Sequence, residues 1–146
     1  MHFIEIIKND FPNFDFEISN QNLWLPNENK ILFISDDKVG LLHEIGHAIC
    51  KHNNFIQDIE LLHAEREAWD KALQLSKKYK VKISQKRIES AMNWYRDWLH
   101  TRSSCPKCLQ NGIQHRSDRC YECLNCGSIW ATNDARNVNL KRYIQK

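Results

Sequence analysis

The chain has 146 residues, 42% of them hydrophobic and 27% charged, an ordinary balance for a folded globular protein. No apolar run approaches the roughly 18–20 residues needed to cross a bilayer, so no membrane partner is expected. The net charge of +3 hides a division. Residues 1–73 carry six Lys/Arg against thirteen Asp/Glu, whereas residues 74–146 carry fifteen against five. A basic half of this kind can sit on nucleic acid or on an acidic protein, or simply face water.

The first residues, Met1-His2-Phe3-Ile4-Glu5, have neither a basic n-region nor a following apolar stretch, so no signal peptide is expected. The expected compartment is the cytoplasm. There the six cysteines read as metal ligands before disulfides. Periodicity does not decide whether the opening seven residues form a strand or a short helix. Phe14-Asp15-Phe16-Glu17-Ile18 alternates like a half-buried strand. Leu23-Trp24-Leu25 and Ile31-Leu32-Phe33-Ile34 are two further strands, separated by the turn residues Pro26-Asn27-Glu28-Asn29. A small antiparallel sheet is expected from these segments.

Asp36-Asp37 offers an N-cap to a helix over about 39–52. A second helix is expected over 58–79, with Leu61, Leu62, Ala68, Trp69, Ala72 and Leu73 at helical spacing. Ser84 can cap a third, running to about His100. After Arg102 the helical period stops and cysteines cluster. The domain boundary is therefore placed between 102 and 103, giving a helical domain over 1–102 and a small module over 103–146. The fold class is α+β.

His43-Glu44-Ile45-Gly46-His47 is an HExxH motif. Two histidines four apart project from one helix face, about a turn from each other, so two imidazoles can share one metal ion. Glu44 then stands beside the ion, where a carboxylate can take a proton from a bound water. Gly46 costs a helix about 1 kcal/mol, which points to close approach by another element. A catalytic ion needs a third protein ligand and one open position.

His43-Glu44-Ile45-Gly46-His47 followed by Glu65-Arg66-Glu67-Ala68-Trp69-Asp70-Lys71-Ala72 resembles the gluzincin pattern HExxH…ExxA, in particular the small ImmA/IrrE-type metallopeptidases. The resemblance covers roughly residues 30–75. It implies a zincin core, a catalytic zinc on His43, His47 and Glu65, and close helix packing at Ala68 and Ala72. The chain departs from the wider pattern at Trp69, where an Asp often orients a metal-bound histidine; Asp70 and Glu67 are substitutes to consider. A second resemblance, to SprT-like proteases, takes its third ligand from a histidine downstream of the motif and implies His63 in place of Glu65. His52 and His63 otherwise read as surface histidines. The expected mechanism is zinc-assisted peptide hydrolysis with Glu44 as general base. An oxyanion donor is also needed, and Tyr79, Tyr95 and His100 are available types.

Cys105-Pro106-Lys107-Cys108 and Cys123-Leu124-Asn125-Cys126-Gly127 are two CxxC units at the spacing of a zinc ribbon. Gly127 suits a knuckle turn because it can adopt positive φ. A closed four-cysteine site of this kind holds a structural zinc. Cys120 could replace Cys126, but the Gly after Cys126 favours the set Cys105, Cys108, Cys123 and Cys126, while Cys50 reads as a small buried apolar residue. Arg102, Lys107, Arg116, Arg119, Arg136, Lys141 and Arg142 surround the cluster, with Tyr121, Trp130 and Tyr143 among them. This mixture suits phosphate contact with base stacking. Two functions are therefore in view: a zinc metallopeptidase acting on a cytosolic regulatory or DNA-associated protein, recruited by its ribbon, and a non-catalytic zincin-fold protein that binds nucleic acid or protein.

Overall fold

A computed structural model describes residues 2–135 and 139–145 of the chain; Arg136 lies outside the described residues. The architecture is α+β, as expected, with four helices and two sheets among those residues. Contacts divide it into two compact units, residues 1–54 with 64–88 and residues 55–63 with 89–146. Among the described residues no helix is long and apolar enough to cross a membrane.

In the first unit the opening segment is a helix, α1 (Phe3–Asp10), which buries Ile7. Three strands follow, β1 (Asp15–Ser19), β2 (Leu23–Leu25) and β3 (Lys30–Ile34). The expected antiparallel sheet is instead mixed, in the order β1-β3-β2. The β2–β3 pair is an antiparallel hairpin through the Pro26–Asn29 turn, but β1 runs parallel to β3, with Phe16 opposite Ile31. The direction follows from the connections: short links at 20–22 and 26–29 reverse the chain twice, so β1 and β3 run the same way. β3, which buries Ile31 and Phe33, takes the centre between β1 and β2.

Helix α2 (Lys38–Ile49) begins where Asp37 caps it, its carboxylate accepting the Gly40 N–H at 3.0 Å. The same carboxylate accepts both terminal nitrogens of Arg87 at 3.0 Å. Burial works against the Asp37 charge, but these partners outweigh it and hold the carboxyl below its usual range. α2 ends three residues sooner than expected. Lys51 takes a left-handed conformation at φ 57, and the N–H groups of Lys51 and His52 return to the carbonyls of Ala48 and His47 at 3.1 Å. This paired closure is a Schellman turn built without glycine. Helix α3 (Asp58–Tyr79) follows its expected span; from Ala64 onward it belongs to this unit, where Ala68, Trp69 and Ala72 are buried.

The second unit contains residues 55–63, α4 (Gln85–Ser103) from Glu89 onward, and an antiparallel sheet. The sheet orders β4 (Gly112–Gln114), β5 (Tyr121–Cys123), β6 (Ile129–Thr132) and β7 (Arg142–Gln145) in sequence. Tyr121 and Trp130 stack face to face at 5.6 Å in its core, and the Trp130 indole N–H donates to the Arg102 carbonyl at 2.9 Å. This compact unit thus takes in residues 55–63 and 89–102 beside the 103–146 segment. Asp58 is fully buried and accepts Arg102 at 2.8 Å and the Tyr121 hydroxyl at 2.8 Å. Burial, together with the Asp58 charge, pushes the Tyr121 hydroxyl well above its usual range, so it stays a donor. Removing Asp58 would leave the Arg102 charge buried and unpaired. Asp58→Ala is expected to cost this unit about 3–5 kcal/mol, read from the urea midpoint at constant metal content; a loss below about 1 kcal/mol would exclude this role.

Candidate metal centre

α2 is buried on every side from Gly40 to Ala48, so its ligand face points into the first unit rather than to bulk water. His43 and His47 direct their Nε2 atoms at each other, 3.2 Å apart. From α3, Glu65 brings one carboxylate oxygen to 3.0 Å from His43 Nε2 and the other to 3.0 Å from His47 Nε2. The two ring nitrogens, and each nitrogen with a different Glu65 oxygen, stand near the roughly 3.3 Å that separates neighbouring donors around an ion with bonds of about 2.0–2.1 Å. The residues present therefore fit a metal ion.

Gly46 makes the approach of α3 possible. A Cβ at that position would meet the Ala68 carbonyl carbon and Cα at 3.1 and 3.2 Å, with the carbonyl oxygen closer still. Glu65 thus lies with the two histidines of the motif, while His63 is exposed.

The charges of this group are strongly coupled. Burial would raise the Glu65 carboxyl, but hydrogen bonds from His43 and His47 outweigh it and hold the group well below its usual range. Burial opposes a charge on His47, yet the Glu65 hydrogen bond and its negative charge carry the imidazole upward. Glu44 lies beside both histidines, within 4.8 Å of their ring nitrogens. Burial raises its carboxyl, against the lowering influence of His43, His47 and the Trp24 backbone N–H. A buried carboxylate raised toward neutrality is suited to accept a proton.

Two surrounding residues bear on the histidines. Trp69 stacks on the His43 ring at a centroid distance of 4.0 Å, filling the place where the resemblance expects an orienting acid. His43 Nδ1 is left buried with no hydrogen-bond partner among the described residues. His47 Nδ1 instead meets His52 Nδ1 at 2.9 Å, and His52 Nε2 faces a Glu67 oxygen at 3.6 Å. His52 reads from sequence as a surface residue; the Schellman turn folds it back onto the preceding helical turn. Cys50, expected to be a buried apolar residue, is half-buried, and burial and the nearby Glu67 charge raise its thiol. Asp70 is exposed. Of the possible oxyanion donors, Tyr79 gives its hydroxyl to Asp10 at 2.6 Å, and Tyr95 and His100 belong to the second unit.

The second unit holds a separate sulfur cluster. Cys105, Cys108, Cys123 and Cys126 place all four Sγ atoms within 4.8 Å of one another. The Cys105–Cys126 and Cys108–Cys123 separations are 3.7 and 3.5 Å, near the roughly 3.8 Å expected for thiolates on one tetrahedral ion. Cys120 precedes β5 outside this group. The two knuckles are built alike. Leu109 and Gly127 follow the second cysteine of each, at φ 67 and 76, and return their N–H groups to the carbonyls of Cys105 and Cys123. Hydrogen bonds with Ser128 bring the Cys126 thiol down to about 6, which favours the ligand form.

Most of the basic residues around this cluster are already engaged. Arg102 is buried on Asp58, Arg116 pairs with Glu60 at 2.7 Å, Arg119 faces Asp58 at 3.5 Å, and Arg142 donates to the Ser104 carbonyl. Lys107 and Lys141 are exposed. Tyr121 and Trp130 are buried, leaving Tyr143 as the exposed aromatic among the three singled out from sequence.

Comparison with family models, with curated proteins and with solved structures finds no match to this chain. The chemical reading rests on the residues themselves. Gly46→Ala gains about 1 kcal/mol of helix propensity but drives a methyl group into the Ala68 backbone, and the clash is the larger effect. The variant is expected to lose about 1–3 kcal/mol in urea denaturation and to retain less metal on the histidine site than on the four-cysteine site. Unchanged stability and metal content would remove Gly46 as the determinant of this helix approach.

Proposed function

We propose that this protein is a metal-dependent peptidase, with zinc as the ion, acting on a cytosolic regulatory or DNA-associated protein. The observation that carries the reading is the convergence of His43, His47 and Glu65 at 3.0–3.2 Å with a buried Glu44 beside them. Three protein donors leave one tetrahedral position for water or substrate, which is the division found in catalytic rather than structural zinc sites. A divalent ion held there would polarise a carbonyl oxygen and acidify a water molecule.

The chain's own groups supply the rest. Glu44 takes the proton of the attacking water and returns it to the departing amine. Glu65 would offset the charge of the ion, and its two oxygens already stand 3.0 Å from the two imidazole nitrogens that would share it. Trp69 holds the plane of the His43 ring and keeps water from one of its faces. The presence of Glu44 favours an enzyme over a non-catalytic binding protein, since a binding role would not need a base beside the ligands.

Structural zinc in the four-cysteine site would hold the knuckles of the second unit closed. As a recruiting surface, this sheet supports a protein partner better than nucleic acid: Leu109 and Leu124 are each 71% exposed at the knuckles, whereas two of its three candidate stacking aromatics are buried. Glu44→Gln keeps the ligand set and removes the base. Turnover is expected to fall at least about 100-fold while two zinc ions per chain remain by elemental analysis. Proteome-wide mapping of new N-termini in cells expressing either form provides the substrate readout; identical cleavage products from both would refute the assignment.

A further inference from the structure

A second group of ligating side chains lies one step out from the histidine site. Cys50 Sγ, His52 Nε2 and a Glu67 carboxylate oxygen lie within 4.8 Å of one another. Local structure explains the grouping. Cys50 is the C-cap of α2, left-handed Lys51 reverses the chain, and His52 swings back beneath His47. The Trp24 indole N–H anchors the reversal by donating to the His52 carbonyl at 2.9 Å. Glu67, from α3, closes the group.

His52 Nε2 is buried with no hydrogen-bond partner among the described residues, and the nearest Glu67 oxygen stands 3.6 Å away, beyond hydrogen-bonding reach. A buried polar atom without a partner carries a desolvation cost that an ion would relieve. The gap is close to the roughly 3.3 Å separating two donors that share an ion through bonds of about 2 Å. Thiolate, imidazole and carboxylate together suit a zinc-class divalent ion, and do not suit Mg2+ or Ca2+, which take oxygen ligands.

We propose that Cys50, His52 and Glu67 form an additional site for a zinc-class divalent ion, and that this outer site competes with the inner one at His43, His47 and Glu65. The competition follows from counting protons. His47 Nδ1 and His52 Nδ1 are 2.9 Å apart, a hydrogen bond with room for one proton. Each neutral ring carries one N–H, so of the two protons one lies between the rings and the other occupies one of the two Nε2 atoms. An ion needs the lone pair of the Nε2 it binds. When His47 Nε2 is free to bind, His47 Nδ1–H donates to His52, and His52 Nε2 carries its proton toward Glu67. When His52 Nε2 is free, the pattern reverses and His47 Nε2 is blocked by its own proton. Loading the outer site also releases the Cys50 thiol proton to solvent. The competition rests on the reading of His47 as an inner ligand; the outer site itself does not.

Cadmium NMR on the full chain tests both parts, because the shift of a bound Cd2+ reports how many sulfurs it carries. As Cd2+ is added, signals are expected from the four-cysteine site, from the His-His-Glu site and, third, from an ion with one sulfur. Because a chain holds an ion at either the inner or the outer site, the inner and third signals rise in a constant ratio and together level off at one ion per chain. Cys50→Ser is expected to abolish the third signal and to raise the inner one to a full ion per chain, with the four-cysteine signal unchanged as an internal check on folding. Glu67→Gln is expected to lower the ratio of the third signal to the inner one at least tenfold. The proposal is overturned if the wild type shows no third signal, if that signal survives in Cys50→Ser, or if the inner and third signals together exceed one ion per chain. Absence of the inner signal from every sample would defeat the inner ligand set and the competition, while the third signal and its response to Cys50→Ser would still decide the outer site.

Discussion

Gly46 has no side chain, and the Ala68 backbone stands in the space that one would fill. Helices usually pack with axes 8–10 Å apart, set by the side chains between them. Here glycine faces alanine, so α3 comes close enough for a short glutamate side chain to span both imidazoles. A bulkier pair would hold Glu65 back from at least one of them. The grouping of His43, His47 and Glu65 therefore depends on a steric allowance made at a residue that is none of the three. Its surroundings are built to match, with Leu41, Leu42 and Ile45 buried around the motif and Ala72 one helical turn beyond Ala68.

The second unit solves a different problem. Its sheet is small, with strands of three and four residues, and the apolar cluster that the sheet buries is little more than Tyr121, Trp130 and the cysteines. A core of that size supplies little hydrophobic stabilisation, and small folds commonly compensate with a metal or other cross-link. The sulfur cluster could hold such an ion, and with one it would meet that need. The buried Asp58–Arg102–Tyr121 group contributes differently: ion pairs of this kind add little net stability, yet they penalise any arrangement that separates the partners.

The parts legible in the sequence are those governed by short-range spacing. The four-residue interval of His43 and His47, the span of α3, the Asp37 and Ser84 caps and the paired CxxC units all follow from local periodicity and turn chemistry. What escapes depends on longer-range or exceptional geometry. The parallel placement of β1 depends on β3 taking the centre between it and β2, a competition for burial of Ile31 and Phe33 that no single segment displays. His52 is obscured because the Schellman turn uses Lys51, where glycine is the usual signal. The basic cluster overstates the free positive surface, since composition cannot show that Arg102, Arg116, Arg119 and Arg142 are already engaged. In the first knuckle Leu109 adopts the same left-handed turn as Gly127, again without the residue that would announce it.

The stacking of Trp69 on His43 has an optical consequence. An indole in van der Waals contact with an imidazole senses the charge and hydrogen-bonding state of that ring through its excited-state dipole. Trp69 is one of five tryptophans in the chain, and its ring lies against His43 of the HExxH motif. The protein thus carries its own chromophore at the histidine site. Emission from that indole offers a way to follow events there in real time, without a label.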